Sequence, residues 1–455
     1  MTRSITGTNF DEVLADIKNL LESGQLDFVR NILADLHPAD ISDLIEHLNS
    51  EERKIIFTLL PAETASEVLI ELEDVPTEDI LEELEPDQIA EMINQMDSDD
   101  AADVLSEMPI DKASEVLSQV EKESSEEIQE LLTYPEDSAG GIMAKEFFAA
   151  NASLTVKQAI EKLRKSKEHI EDLYNFYVVG DFGTLLGRIT LQDLILADPK
   201  SKLKNIMDQN VIAIESQMDQ EEVAKIFQKY DLVSAPVVDE RHRLIGRITI
   251  DDIVDVISEE TDEDLGLITG TGEEEILEDS VFKVSRARLP WLILSFFGGI
   301  VSAFIMDSFS ATLNQILAIA FFIPIVMGMG GSIGQQSSII VVRGLATGEI
   351  AMKDTGRRLW RELRVGIISG FVLSALIFIV VTLWQNDIIF ATVLASTLVI
   401  VLLNASLFGA VIPFFFKKLN VDPAYATGPF IATFNDVVGL LIYFALLTLS
   451  LKLLF

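Results

Sequence analysis

Asp436 lies in the segment 429–455, where the one other charged residue is Lys452. Seven residues past Pro429, it stands about 10 Å along a helix rising 1.5 Å per residue. A carboxylate at that depth in hydrocarbon costs several kcal/mol unless it faces protein or water, so it reads first as a functional group. Ala432, Asp436, Gly439 and Tyr443 recur at i, i+4, i+7 and i+11 and share one helix face, with Thr433 beside it. Such a small, polar stripe admits another helix or a hydrated cation. The plainer reading is a structural acid neutralised by an interior Arg, and no Lys or Arg lies mid-span to serve.

A second polar set follows Pro324: Gly328, Gly330, Gly331 and Gly334, interleaved with Ser332, Gln335, Gln336, Ser337 and Ser338. This composition predicts a helix that breaks at membrane depth, which is tolerated where the backbone is buried or lines a water-filled path. Tight helix packing is the competing reading of the same small residues. Gly330, Gly331, Ser332, Gly334 and Gln335 are the candidate lining residues, together with Asn404, a type that often bridges two helices.

The elements that position these groups are five apolar segments near 289–306, 313–333, 363–384, 388–416 and 429–455, each able to cross about 30 Å of hydrocarbon. Arg286 and Arg288 precede the first. Arg343, Lys353, Arg357, Arg358, Arg361 and Arg364 surround the link from the second to the third, and Lys417 and Lys418 follow the fourth. The links around Asp307 and Gln385-Asn386-Asp387 carry no base. Basic residues stay on the cytoplasmic side, so the expected arrangement has a cytoplasmic N-terminus and an external C-terminus. Met1 to Phe10 lacks an apolar core, and no secretory signal peptide is expected there.

Charge divides the chain. Residues 289–455 are nearly neutral, whereas residues 1–288 hold most of the 73 Asp and Glu against 34 Lys and Arg in all. An acidic surface disfavours nucleic acid and favours cations, although a merely solvated surface looks the same. There is no Cys and there are four His, which leaves no thiolate or zinc-spaced site. No nucleophile–base pair or phosphate cradle appears, so an enzyme is not expected.

Within the acidic part, Leu36, Leu48, Leu60, Leu72, Leu84, Met96 and Met108 recur every 12 residues. Pro or an acid follows most of them, then an acid–apolar–small–acid–apolar pattern, as in Pro86-Asp87-Gln88-Ile89-Ala90-Glu91-Met92. Each unit reads as one short helix, and pairs of units as 24-residue hairpins that bury their apolar edges by stacking. A second repeat follows: Leu185-Leu186-Gly187-Arg188-Ile189-Thr190 nearly copies Leu244-Ile245-Gly246-Arg247-Ile248-Thr249. With helices expected over 156–165 and 220–229 and strands over 174–179 and 235–238, this unit resembles the CBS domain in tandem. Residues 258–279 then hold ten acids and no base, and Ile276, Leu277, Val281 and Val284 are spaced as a connecting helix.

Taken together, this order resembles the MgtE family of magnesium channels. The most specific pieces are Ala139-Gly140-Gly141-Ile142-Met143, the Gly330 to Ser337 stretch, Asp422-Pro423-Ala424, and Pro429-Phe430-Ile431-Ala432-Thr433-Phe434-Asn435-Asp436. The resemblance implies a multidomain protein: an all-α superhelical N-domain (1–135), α/β tandem CBS domains (136–260), a connecting plug helix (261–288) and a five-helix transmembrane domain (289–455). It also implies a homodimer in the lipid of a bacterial inner membrane, with spans two and five of both protomers lining the pore. Asp436 then holds hydrated Mg²⁺, with Ala432 and Thr433 as neighbours. Regulatory Mg²⁺ is implied at Asp87 and Glu91 in the N-domain, at Asp219, Glu221, Asp231, Asp252 and Asp255 in the CBS pair, and at Glu260, Glu263 and Asp264 beside it. ATP is a candidate modulator at Asp193, although Leu232 stands where an adenine-stacking aromatic is sometimes found. The family pattern carries Asn at the positions of Ser332 and Gly428. Competing readings are a broader transporter of Co²⁺, Mn²⁺ or Ni²⁺, an ion-coupled carrier, and a membrane-anchored CBS sensor that conducts nothing.

Overall fold

The computed structural model describes residues 10–72, 74–81, 84–165, 174–271 and 280–454. The chain divides into two compact units, residues 1–260 and 261–455.

The first unit begins with ten short helices: α1 (Phe10–Glu22), α2 (Leu26–Leu33), α3 (Pro38–Glu46), α4 (Ser50–Leu59), α5 (Ala62–Ile70), α6 (Asp74–Leu81), α7 (Pro86–Ile93), α8 (Ser98–Ser106), α9 (Ile110–Leu117) and α10 (Lys122–Leu131). The repeat explains their starts. Pro38 and Pro86 occupy first-turn positions where the missing N–H has no intrahelical partner to lose. Asn49 and Glu52 close a capping box on α4. The expected hairpins are refined by the packing. Neighbours such as α1 and α2 or α3 and α4 do meet, but most helices stack on the one two places away: α2 on α4, α3 on α5, α4 on α6, α5 on α7, α7 on α9 and α8 on α10. The repeating Leu and Met positions therefore line a continuous apolar seam that runs from Ile17 to Leu131.

Two α/β modules follow. The first comprises β1 (Ala149–Asn151), α11 (Val156–Lys165), β2 (Asn175–Val179), β3 (Leu185–Thr190) and α12 (Leu191–Leu196). The second comprises β4 (Ile214–Glu215), α13 (Gln220–Tyr230), β5 (Ser234–Val238), β6 (Leu244–Thr249) and α14 (Ile250–Thr269). Each sheet pairs its first strand parallel and its last strand antiparallel to the middle one, with an irregularity at the same step, Val178/Val179 and Val237/Val238. The modules are tied together by the Tyr177 hydroxyl beside the Ser234 hydroxyl (3.1 Å) and by the Asn175 amide donating to the Ser234 carbonyl (3.3 Å).

In the second unit, α15 (Val281–Ser308), α16 (Ser310–Gln315), α17 (Ala318–Ala346), α18 (Thr355–Gln385), α19 (Ile388–Lys418) and α20 (Gly428–Leu454) include five helices long and apolar enough to cross a membrane. α19 packs along α17, α18 and α20, and α20 packs along α15 and α17. Ile276 and Leu277 of the expected connecting helix lie outside the described residues, while Val281 and Val284 belong to the first turn of α15.

One expectation is corrected. The second span does not break after Pro324: α17 is helical from Ala318 to Ala346, straight through Gly328, Gly330, Gly331 and Gly334. The small residues serve close approach instead. A Cβ on Gly334 would overlap the Asn435 amide, and one on Gly409 of α19 would overlap the Gly334 carbonyl. Gly334→Ala is therefore expected to lower the thermal midpoint of the detergent-purified protein by the equivalent of about 1–3 kcal/mol, the usual range for overpacking a tight contact. An unchanged midpoint would show that α17 and α20 separate easily at this level.

Candidate functional site

α20 carries Asp436 two turns in from Gly428, half-buried, directly across from α17. A Cβ built on Gly331 would stand 3.8 Å from Asp436 Oδ1, an ordinary van der Waals contact, and would meet no other atom within 4 Å, so the carboxylate faces this glycine across uncrowded space. Ala432 is half-buried one turn earlier on the same helix. Asn435 is 3% exposed, and neither polar atom of its amide has a hydrogen-bond partner among the described residues.

The other residues expected here separate into distinct roles. Thr433 turns toward α15, where its methyl rests on Gly298 and its hydroxyl reaches the Ser295 hydroxyl at 3.5 Å. Tyr443 is fully buried and donates to the Ile319 carbonyl at 2.9 Å, a link between α20 and α17. Gly330 and Gly439 both pack on Val401 of α19. Gln335 donates to the Gly428 carbonyl at 3.3 Å and Ser338 to the Ala426 carbonyl at 2.7 Å, which hold the start of α20 against α17. Ser332 is exposed and its hydroxyl donates to the Gly328 carbonyl of its own helix at 2.8 Å. Asn404 is half-buried on α19. Helical periodicity is the reason for this scatter, since five residues within six positions cannot all face one axis.

Asp436 is not the only acid inside the spanning helices. Glu362 on α18 is 4% exposed, accepts from the Ser337 hydroxyl at 2.9 Å and pairs with Arg358. It escapes the sequence reading because the apolar run begins at 363, whereas the helix begins at Thr355.

The first unit holds a separate carboxylate site. Oxygens of Asp97, Asp99 and Glu146 lie within 4.8 Å of one another. Asp97 precedes the first turn of α8 without a capping hydrogen bond from its side chain, Asp99 lies in that turn, and Glu146 is carried by the chain entering the first CBS module. The Ser98 hydroxyl donates to Glu146 at 2.9 Å and accepts from the Lys145 backbone N–H at 2.8 Å, which draws the two segments together. Asp252 faces the same cluster and accepts from both the backbone and the hydroxyl of Thr249. Burial is the largest influence on these acids, and their mutual repulsion adds to it. Asp99 is pushed well above the usual carboxylate range, Asp100 to about 8, Asp103 to about 7 and Asp252 to about 6. A group of carboxylates this crowded gains by taking up protons or a divalent cation.

Asp87 and Glu91 are exposed on α7, and the acids that reach the CBS pair stand one repeat later, at Asp99 and Asp103. The 12-residue period itself was the signal that could have found them. Asp255 is raised by burial and then by Asp251, and it faces Glu71 of the solenoid. Asp219 caps α13 by accepting from the Glu221 N–H, Glu221 pairs with Lys225, and Asp231 ends the helix in a left-handed conformation. Glu260 accepts from the Gln220 amide at 2.9 Å. Glu263 and Asp264 lie on α14 in the second unit. Asp193 accepts from the Thr190 hydroxyl at 2.7 Å, the first-module counterpart of Asp252.

The family described as divalent cation transporter matches residues 323–446, the MgtE intracellular N domain matches 36–137, and CBS domains match 139–200 and 203–259. The chain is 35% identical to the magnesium transporter MgtE of Bacillus subtilis, over 98% of each chain. It is 34% identical to the magnesium transporter MgtE of Thermus thermophilus, over 97% of this chain and 99% of that one. The chain belongs to the MgtE family. The crystal structure of the cytosolic domain of the Mg²⁺ channel MgtE in complex with ATP is 34% identical, with a TM-score of 0.50 over 53% of this chain and 99% of that one. MgtE proteins are membrane transporters rather than enzymes, and the MgtE architecture of helical N-domain, paired CBS domains and five apolar helices is the one described above.

Proposed function

We propose that this chain forms a Mg²⁺ channel in which Asp436 holds the hydrated ion and cytosolic Mg²⁺ closes the pathway. The observation that carries the reading is the half-buried Asp436 carboxylate facing Gly331 of α17 with no other atom within 4 Å of the position a Cβ would take there. Mg²⁺ surrenders water reluctantly and favours octahedral coordination, so a wide site with a carboxylate and backbone carbonyls suits it better than a closed oxygen cage. A homodimer would place two such carboxylates around one axis. The basic residues flanking the spans support a cytoplasmic N-terminus and external C-terminus.

Regulation rests on the crowded acids. With little Mg²⁺, Asp97, Asp99, Asp100, Asp252 and Glu146 repel across the junction of solenoid and CBS pair. With abundant Mg²⁺ they are bridged and that junction tightens. The ion biases the equilibrium only through its stronger affinity for the tight form. ATP at the CBS pair is a second ligand suggested by the relative crystallised with it.

Vesicles reconstituted with the full chain test the transport reading. Mg²⁺ should enter down its gradient, and cobalt hexaammine, a cation of similar size whose ligands do not exchange, should block it. Absence of Mg²⁺ entry would remove the channel assignment. Entry indifferent to the complex would remove recognition of the hydrated ion.

A further inference from the structure

α17 and α18 each pack along α19, and the three helices surround a cavity of about 190 Å³. Its floor is ionic. Arg358 pairs with Glu362, Ser337 donates to Glu362, and the Ser406 hydroxyl donates to the Glu362 carbonyl at 3.2 Å. Its rim is exposed and largely apolar: Ile340 is 51% and Val365 49% accessible, with Arg361 exposed beside them. Two guanidinium groups against one carboxylate leave the cavity with a net positive charge. Arg358 Nε is buried and has no acceptor among the described residues.

The position of the cavity along the helix narrows what it could hold. Arg357, Arg358, Arg361 and Arg364 fall within the first three turns of α18, and Trp360 on the same turns is 60% exposed. Arginine and tryptophan together mark the level of the lipid headgroups, because neither a cluster of cations nor an indole N–H settles in hydrocarbon. The apolar rim continues along α18 through Ile368, which is 67% exposed. A soluble phosphate would match the floor but make no use of this rim.

We propose that the cavity binds the headgroup of an anionic phospholipid, its phosphate accepting from Arg358 and Arg361 and its chains lying along the exposed apolar residues of α17 and α18. Glu362 holds Arg358 in place from the opposite side and makes the site stricter than a general basic belt. Attraction of anionic lipid to exposed basic residues is weak and unspecific, so selectivity has to come from the buried pair.

Native mass spectrometry of the delipidated full chain, offered phosphatidylglycerol, phosphatidylcholine or inorganic phosphate, tests this. Wild type should retain phosphatidylglycerol at least tenfold more tightly than phosphatidylcholine. Arg361→Gln should lose most of that preference, and Arg364→Gln, equally basic but outside the cavity, should keep it. Val365→Trp, which fills the rim without altering charge, should exclude the lipid even if Arg361→Gln folds poorly. Equal loss in Arg364→Gln, equal binding of phosphatidylcholine, or displacement by inorganic phosphate would each overturn the proposal. So would a change of assembly mass in Arg361→Gln, which would assign the groove to a second copy of the chain.

Discussion

Asp436→Ala should lower Mg²⁺ entry into reconstituted vesicles at least tenfold while leaving the protein folded and monodisperse. Two unit charges 4 Å apart interact by about 4 kcal/mol at an effective dielectric of 20, and a divalent ion doubles that before its own dehydration is subtracted. A remainder of only 1.4 kcal/mol is already a factor of ten. Asp436→Asn keeps the shape and removes the charge, so it should fall nearly as far. Flux at the wild-type level in either variant would remove Asp436 from the pathway. Gly331→Leu gives an independent reading of the same space, because its side chain would occupy the volume in front of the carboxylate.

The second large effect should come from the acids between solenoid and CBS pair. In Asp100→Asn combined with Asp252→Asn, which removes the repulsion together with the ligand oxygens, the internal Mg²⁺ concentration that halves the current should shift at least tenfold, or the dependence should vanish. Patch recordings with the cytosolic face exposed measure this directly. An unaltered concentration dependence would exclude these acids from regulation. Protons provide a second test. Asp100, Asp103 and Asp252 are raised to about 8, 7 and 6, first by burial and then by neighbouring acids. An acid whose pKa rises on folding stabilises the folded form at low pH, and that contribution is lost as pH climbs through the raised value. At low Mg²⁺, lowering the internal pH from 8.5 to 6 should therefore tighten the junction and reduce the wild-type current. The double variant should respond much less, and an equal response would place the titrating groups elsewhere.

Much of this organisation is written in periodicities. The 12-residue recurrence of Leu36 to Met108 marks the solenoid, and the Gly-Arg-Ile-Thr duplication marks two modules whose sheets share order and irregularity. What a linear pattern does not carry is the direction a side chain faces once helices cross. Thr433 and Asp436 are three positions apart, close enough to read as neighbours, yet one meets Ser295 of α15 and the other Gly331 of α17. The glycines of α17 looked like a break because glycine weakens a helix in isolation. Packing against Gly409 and Asn435 reverses that, since only a residue without a side chain lets the backbones meet. Glu362 is hidden by a boundary drawn from hydropathy, and Asp99 stands one repeat beyond Asp87, a difference that the 12-residue pattern alone does not rank.

The unbroken course of α17 has a mechanical side. Its tightest contact, Gly334 against Gly409 and Asn435, would act as a fulcrum for any rocking of this unbroken helix. Gly331 lies three residues from that fulcrum and Arg343 nine, roughly 4.5 and 13.5 Å along the axis. A rocking motion that carries the Arg343 end sideways by some distance thus moves the window before Asp436 by only about a third as much. Under such a motion the carboxylate would keep its place while the far end of the helix swings, so that, on the function proposed above, ion occupancy and release would be set at different heights of one helix.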